Sequence, residues 1–84
     1  MYQVLIEKKA EKDLNDLPSD FFRLIIKRIL ALKENPRPFG CRKIVGSEND
    51  WRIRVGSYRI VYEIQDKEKT IKIYRVKHRK DVYR

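Results

Sequence analysis

Eighty-four residues allow one small domain, residues 1–84, whose core is marginal in size but workable without disulfide or metal staples. Hydrophobic residues make up 42% and charged residues 39%, a balance that excludes a disordered chain and suits a soluble fold with a heavily charged surface. Lys and Arg outnumber Asp and Glu by 21 to 12, and the formal charge of +9 predicts a polyanionic partner: nucleic acid, a ribosome, an acidic protein or a membrane surface.

Residues 2–7 are a short apolar run rich in strand formers. Residues 8–17 carry Ala10, Leu14 and Leu17 at helical spacing, and Pro18 ends that helix. Ser19 or Asp20 is placed to cap a second helix over 21–35, whose residues Phe22, Ile25, Ile26, Ile29, Leu30 and Leu32 form a wide apolar stripe. Asn35-Pro36 stops it. The two helices make a hairpin with one greasy side. Residues 41–45 form a short strand, and 46–50 are a turn cluster. Residues 51–55 and 58–64 are two alternating runs separated by Gly56-Ser57, a loop of the length that favours a tight hairpin. Residues 70–78 make the last strand. Its alternation breaks, with Ile71 and Ile73 in one phase and Tyr74 and Val76 in the other, as a bulge would produce. The order β-α-α-β-β-β-β predicts an α+β domain: an antiparallel sheet with the helical hairpin packed on one face.

Cys41 is the only cysteine, so no intramolecular disulfide is possible, and one Cys with one His is a poor zinc site. No phosphate-binding glycine loop or nucleophile elbow is present. The reading therefore calls for no metal and no cofactor. The first apolar run is too short for a signal peptide and no stretch reaches membrane-spanning length, so a cytoplasmic chain without membrane association is expected.

The hairpin raises a chemical question. If Gly56-Ser57 is the loop, Arg54 stands opposite Arg59, and Arg52 lies on the same face opposite Val61. Like charges placed opposite one another destabilise a sheet. Three guanidinium groups on one open face point to anion binding, and the planar fork of arginine suits phosphate. The C-terminal segment adds Arg75, Lys77, His78, Arg79, Lys80 and Tyr83. His78 is the one side chain whose ordinary pKa lies near neutrality. The carboxylates fall mostly in charged helical and turn segments, where solvation is their ordinary fate.

The runs RVGSYRIVYEI (54–64) and IYRVKHRKDVYR (73–84) resemble the RelE branch of the RelE/ParE superfamily of toxins from type II toxin–antitoxin systems. The patterns G-x-Y-R-x-x-Y and V-x-H-R-x-x-V-Y carry the resemblance, which extends over essentially the whole chain, including the two helices and the NPRPFGCRKI connection. It implies a RelE-like fold and a ribosome-dependent mRNA interferase, an endoribonuclease that cuts mRNA in the ribosomal A site and inhibits translation. The implied reaction is metal-free attack of a ribose 2′-oxygen on the adjacent phosphorus. The implied partners are a RelB-like antitoxin and the ribosome, with its 16S rRNA and mRNA; the toxin is a monomer when free or heteromeric with its antitoxin.

Carried over by position, Arg59 stabilises the transition-state phosphate, Arg79 lies near the scissile phosphate as a candidate acid, and Tyr83 stacks on or orients the base. Arg52 and Arg54 stand where the best-known member has two lysines. Arginine does not deprotonate appreciably in proteins, so these two hold phosphate with Lys77 and Lys80, and His78 becomes the candidate base. Two other readings share the fold class: a ParE-like toxin that binds DNA gyrase, and a non-catalytic RNA- or ribosome-binding module.

Overall fold

The computed structural model describes residues 1–82. Its elements are β1 (Gln3–Ile6), α1 (Lys8–Asn15), α2 (Ser19–Ala31), β2 (Arg42–Lys43), β3 (Asp50–Val55), β4 (Tyr58–Gln65), β5 (Thr70–His78) and a single turn of helix, α3 (Arg79–Val82). The strands form one sheet in the order β1-β5-β4-β3-β2. From β2 to β5 every pairing is antiparallel, as expected. At the far edge the expectation fails: β1 runs parallel to β5, with Gln3 opposite Thr70 and Ile6 opposite Ile73, so the sheet is mixed. The chain leaves β1 into two helices and returns at the opposite edge, which frees β1 from any hairpin constraint on its direction.

Alternation decides which side chains are inside. Ile53 and Val55 of β3, Ile60, Tyr62 and Ile64 of β4, and Ile71, Ile73 and Val76 of β5 are buried against Ala10 and Leu14 of α1 and Ile25, Ile29 and Leu32 of the second helical segment. The apolar stripe of α2 is narrower than its sequence suggests, because Phe22 and Leu30 stay substantially exposed. Pro18 takes the N-cap position of α2, and neither Ser19 nor Asp20 makes a capping side-chain bond.

The bulge in β5 is present. Val61 of β4 faces Arg75, but its neighbour Tyr62 faces Ile73, which leaves Tyr74 as the extra residue. The insertion returns Val76 to the side already occupied by Ile71 and Ile73, and places Arg75 and Lys77 on the other side.

Two ties hold the rest of the chain to the sheet. The buried Tyr62 hydroxyl donates to the Pro36 carbonyl at 2.7 Å, which fastens the segment after α2 over the core. Burial pushes that phenol well above its ordinary pKa. Next door, Arg37 lies over the Trp51 ring, 5.0 Å from its centroid, and pairs with Asp66 at 2.9 Å, which also accepts from the Tyr2 hydroxyl at 2.6 Å. The second tie is Asp13 of α1. Its carboxylate accepts from Arg75 Nε at 2.8 Å and from the Val76 backbone N–H at 2.9 Å. Beyond Ile73 the edge of β5 has no β1 residue opposite it, and Asp13 supplies the missing acceptor. This carboxylate was expected to be solvated; it is instead half-buried and structural. Among the described residues, no helix is long and apolar enough to cross a membrane.

Candidate functional site

The helices cover one face of the sheet, and the basic residues gather on the other. The observed register puts Arg54 opposite Arg59 and Arg52 opposite Val61, as the hairpin reading required. Gly56 has φ 60°, a left-handed conformation that glycine adopts without a Cβ clash and that suits a two-residue hairpin loop. The register continues across neighbouring strands. Arg59 faces Lys77 of β5, giving a first rung Arg54–Arg59–Lys77. Arg42 of β2 faces Arg52, and Val61 faces Arg75, giving a second rung Arg42–Arg52–Val61–Arg75. Directly opposed residues share a face of the sheet. A third rung, Asp50–Glu63–Lys72, brings two carboxylates to the border of the patch.

Arg79 reaches this surface through the backbone. Its N–H donates to the Ser57 carbonyl at 2.7 Å, so the start of α3 is pinned to the hairpin loop. Arg54, Arg59 and Arg79, with Gly56, Ser57 and Tyr58, line a pocket of about 150 Å³. That is smaller than the ~300–1,000 Å³ of ordinary small-molecule clefts and suits a single anionic group. The Arg37–Asp66 and Arg75–Asp13 ion pairs do not involve Arg54, Arg59 or Arg79. The pocket thus concentrates positive charge that no carboxylate of those pairs offsets.

His78 sits differently from what its sequence position suggests. The bulge turns it to the helix-bearing side, where it faces Tyr58, the two rings meeting edge-on at 5.2 Å. Tyr58 in turn contacts Phe21 of α2 at 5.2 Å. The Lys80 N–H donates to His78 Nδ1 at 3.2 Å, which puts the proton of the neutral ring on Nε2. Lys80 is exposed on α3. Tyr83 lies outside the described residues. So the structure brings Arg54, Arg59 and Arg79 together with Lys77 alongside, sets Arg52 one rung away, and does not bring His78 into the pocket lining.

Sequence reasoning missed Arg42. Its place depends on the pairing of a two-residue strand across an irregular turn, where no hydrophobic alternation fixes the register. The only signal was the adjacency of two basic residues in CRKI.

These features have close counterparts among known proteins. The family model for the ParE toxin of type II toxin–antitoxin systems (parDE) matches residues 4–83. Toxin RelE3 of Methanocaldococcus jannaschii is 38% identical over 86 residues, spanning 96% of this chain and 94% of its own. Toxin RelG of Mycobacterium tuberculosis is 32% identical over 87 residues, spanning 99% and 97%. The archaeal RelE–RelB complex from Pyrococcus horikoshii contains a chain that superposes with a TM-score of 0.83 at 34% identity, covering 93% of this chain and 94% of that one. The chain belongs to the ParE toxin family of type II toxin–antitoxin systems, in its RelE branch.

Proposed function

We propose that this RelE-type toxin is a ribosome-dependent mRNA interferase, and that the Arg54–Arg59–Arg79 pocket receives the scissile phosphate. The observation that carries the reading is the directly opposed Arg54–Arg59 pair, with Arg79 in the same pocket. Opposed like charges cost folding energy, and an anion between them converts that cost into binding. In the reaction the ribose 2′-oxygen attacks phosphorus and the P–O5′ bond breaks. The 2′-proton passes to a base, and a proton reaches the departing 5′-oxygen, leaving a 2′,3′-cyclic phosphate and a 5′-hydroxyl end. Arg54 and Arg59 stabilise the charge that accumulates on the non-bridging oxygens, where fixed donors contribute most. Arg79 donates a hydrogen bond that stabilises the negative charge on the leaving oxygen, and the proton that oxygen takes up comes from water. Arg52, Lys77 and Lys80 hold flanking phosphates, and Tyr83 orients the base.

His78 remains the proposed base because arginine cannot fill that role. With Nδ1 engaged by Lys80, its free lone pair requires either the other tautomer or release of α3. The pH–rate profile of His78→Gln tests this: an unchanged profile with full cleavage removes His78 from the mechanism. The RelB–RelE complexes among the structural relatives support a RelB-like antitoxin as partner.

The decisive experiment is primer extension on mRNA incubated with the purified protein, with and without programmed ribosomes. Cuts within the A-site codon that need ribosomes and vanish in Arg59→Ala are expected. Cuts without ribosomes would make it a free ribonuclease. No cuts at all would leave a binding toxin, with gyrase as the next target to assay.

A further inference from the structure

The bulge in β5 shapes a second cavity, which shares no lining residue with the arginine pocket. β1 ends at Ile6, opposite Ile73, and the Glu7 N–H still donates to the Ile73 carbonyl at 3.0 Å before the chain turns into α1. Tyr74 and Arg75 follow at once on β5. Arg75 faces Val61, so the extra residue sets two consecutive side chains toward the open face. With Glu7, Lys8 and Lys9 they line a cavity of about 620 Å³. That lies within the ~300–1,000 Å³ of small-molecule clefts, where the arginine pocket falls short. Both β5 side chains are held from behind. Arg75 makes two bonds to Asp13, at 2.8 and 3.1 Å, so its charge is already matched and it serves as a wall. Burial and a hydrogen bond to Glu63 push the Tyr74 phenol up to about 12, so the hydroxyl stays a donor and the ring is fixed as a floor. Lys8 and Lys9 are exposed at the rim, with Glu7 beside them.

We infer that this cavity binds a nucleotide, with its heteroaromatic ring stacked on Tyr74 and its phosphate held by Lys8 and Lys9. An aromatic floor accepts any nucleobase, because every base has a π-face. The two ammonium groups at the rim select for an anion carried by that ring. The Glu7 carboxylate, which only accepts hydrogen bonds when ionised, suits a ring amine or a ribose hydroxyl. An uncharged aromatic compound would leave the lysines unused, and a bare phosphate would leave the ring uncovered. The inference needs no cleavage chemistry and stands independently of the interferase reading. The ligand has two possible sources, a free mononucleotide or one nucleotide of an RNA strand, and the test separates them.

The test titrates the full-length toxin with adenosine 5′-monophosphate, ribose 5-phosphate and adenosine by calorimetry, and with an uncleavable 2′-O-methyl oligonucleotide by fluorescence anisotropy. The monophosphate should bind at least about fivefold more tightly than ribose 5-phosphate, the advantage a stacked base contributes. Tyr74→Leu should remove that advantage and leave ribose 5-phosphate binding unchanged, and Tyr74→Trp should keep it. Lys8→Gln combined with Lys9→Gln should weaken the monophosphate about threefold or more and leave adenosine unchanged. Both lysines are exposed, so this variant reports on the site even where an exchange at the bulge perturbs the strand. Arg59→Ala should preserve the advantage of the monophosphate over ribose 5-phosphate, because Arg59 lines the other cavity. Loss of the monophosphate alone in Tyr74→Leu identifies the ligand as a free nucleotide; loss of the oligonucleotide as well shows that the site also takes a nucleotide of a strand. Equal binding of the monophosphate and ribose 5-phosphate would overturn the inference. So would binding that is lost in Arg59→Ala and kept in the Tyr74 and lysine variants, which would assign the phosphate to the arginine pocket.

Discussion

The two faces of the sheet are built from the same strands, one residue out of phase, and they follow opposite rules. On the helix-bearing face Ile53, Ile60, Tyr62, Ile71 and Ile73 meet α1 and α2, and its one deeply buried hydroxyl finds an acceptor in Pro36. On the open face Arg42 meets Arg52 and Arg54 meets Arg59. The first arrangement lowers the energy of the folded chain; the second sets like charges opposite one another, which costs folding energy. The comparison teaches that stability and binding are separable here at the level of alternate residues. Each can be changed without the other.

The largest effect should come from the covered face. Ile60→Ala, at a position with no exposed surface, should cost about 2–5 kcal/mol and lower the melting temperature by about 8–40 °C in a thermal melt. Arg59→Ala should do the reverse, reducing ribosome-dependent cleavage about 10²–10³-fold while its melting temperature holds or rises. A variant that lost both together would dissolve the distinction between the faces. Next comes Tyr62→Phe, which strands the buried Pro36 carbonyl and should cost about 1–3 kcal/mol in a urea titration.

The carboxylates sharpen the contrast through pH. Burial pushes the Asp13 carboxyl up, but the bonds from Arg75 and the Val76 N–H, with the nearby Lys77 charge, outweigh it and hold the group below its usual range. Asp66 is held down by Arg37 and Tyr2. Both bind a proton more weakly in the folded chain than in the unfolded one. Their contribution is therefore complete above the unfolded value of about 4 and is lost as pH falls through the lower folded values. Urea midpoints measured from pH 7 downward should decline in acid, and Asp13→Asn should flatten that decline. The smallest effect is on the open face: Arg54→Gln removes one like-charge contact and should raise stability by less than ~1 kcal/mol.

Much of this was legible in the chain because the informative signals were local. The Gly56-Ser57 loop fixed the Arg54–Arg59 register, and the broken phase between Ile73 and Tyr74 announced the bulge. What escaped depends on distant contacts. Nothing around residues 3–6 says that β1 runs parallel to β5. Asp13 reads as one more helical acid until the bare edge of β5 is placed beside it. His78 neighbours the basic residues in sequence, yet the extra residue in β5 carries it to the other side. Arg42 needed the pairing of a strand only two residues long.

That extra residue has a further consequence. A strand behaves as a two-step clock, and Tyr74 is an added tick that resets the phase of everything after it. Deleting Tyr74 would set Arg75 directly after Ile73 in an unbroken alternation, with Arg75 still opposite Val61, Val76 still against the core and Lys77 still on the open face. A one-residue deletion at this position removes the bulge and keeps the end of the strand in phase; a further one-residue insertion adds a second unpaired residue or inverts that end. Losses of a single residue between Ile73 and Val76 should therefore be better tolerated than gains at the same sites.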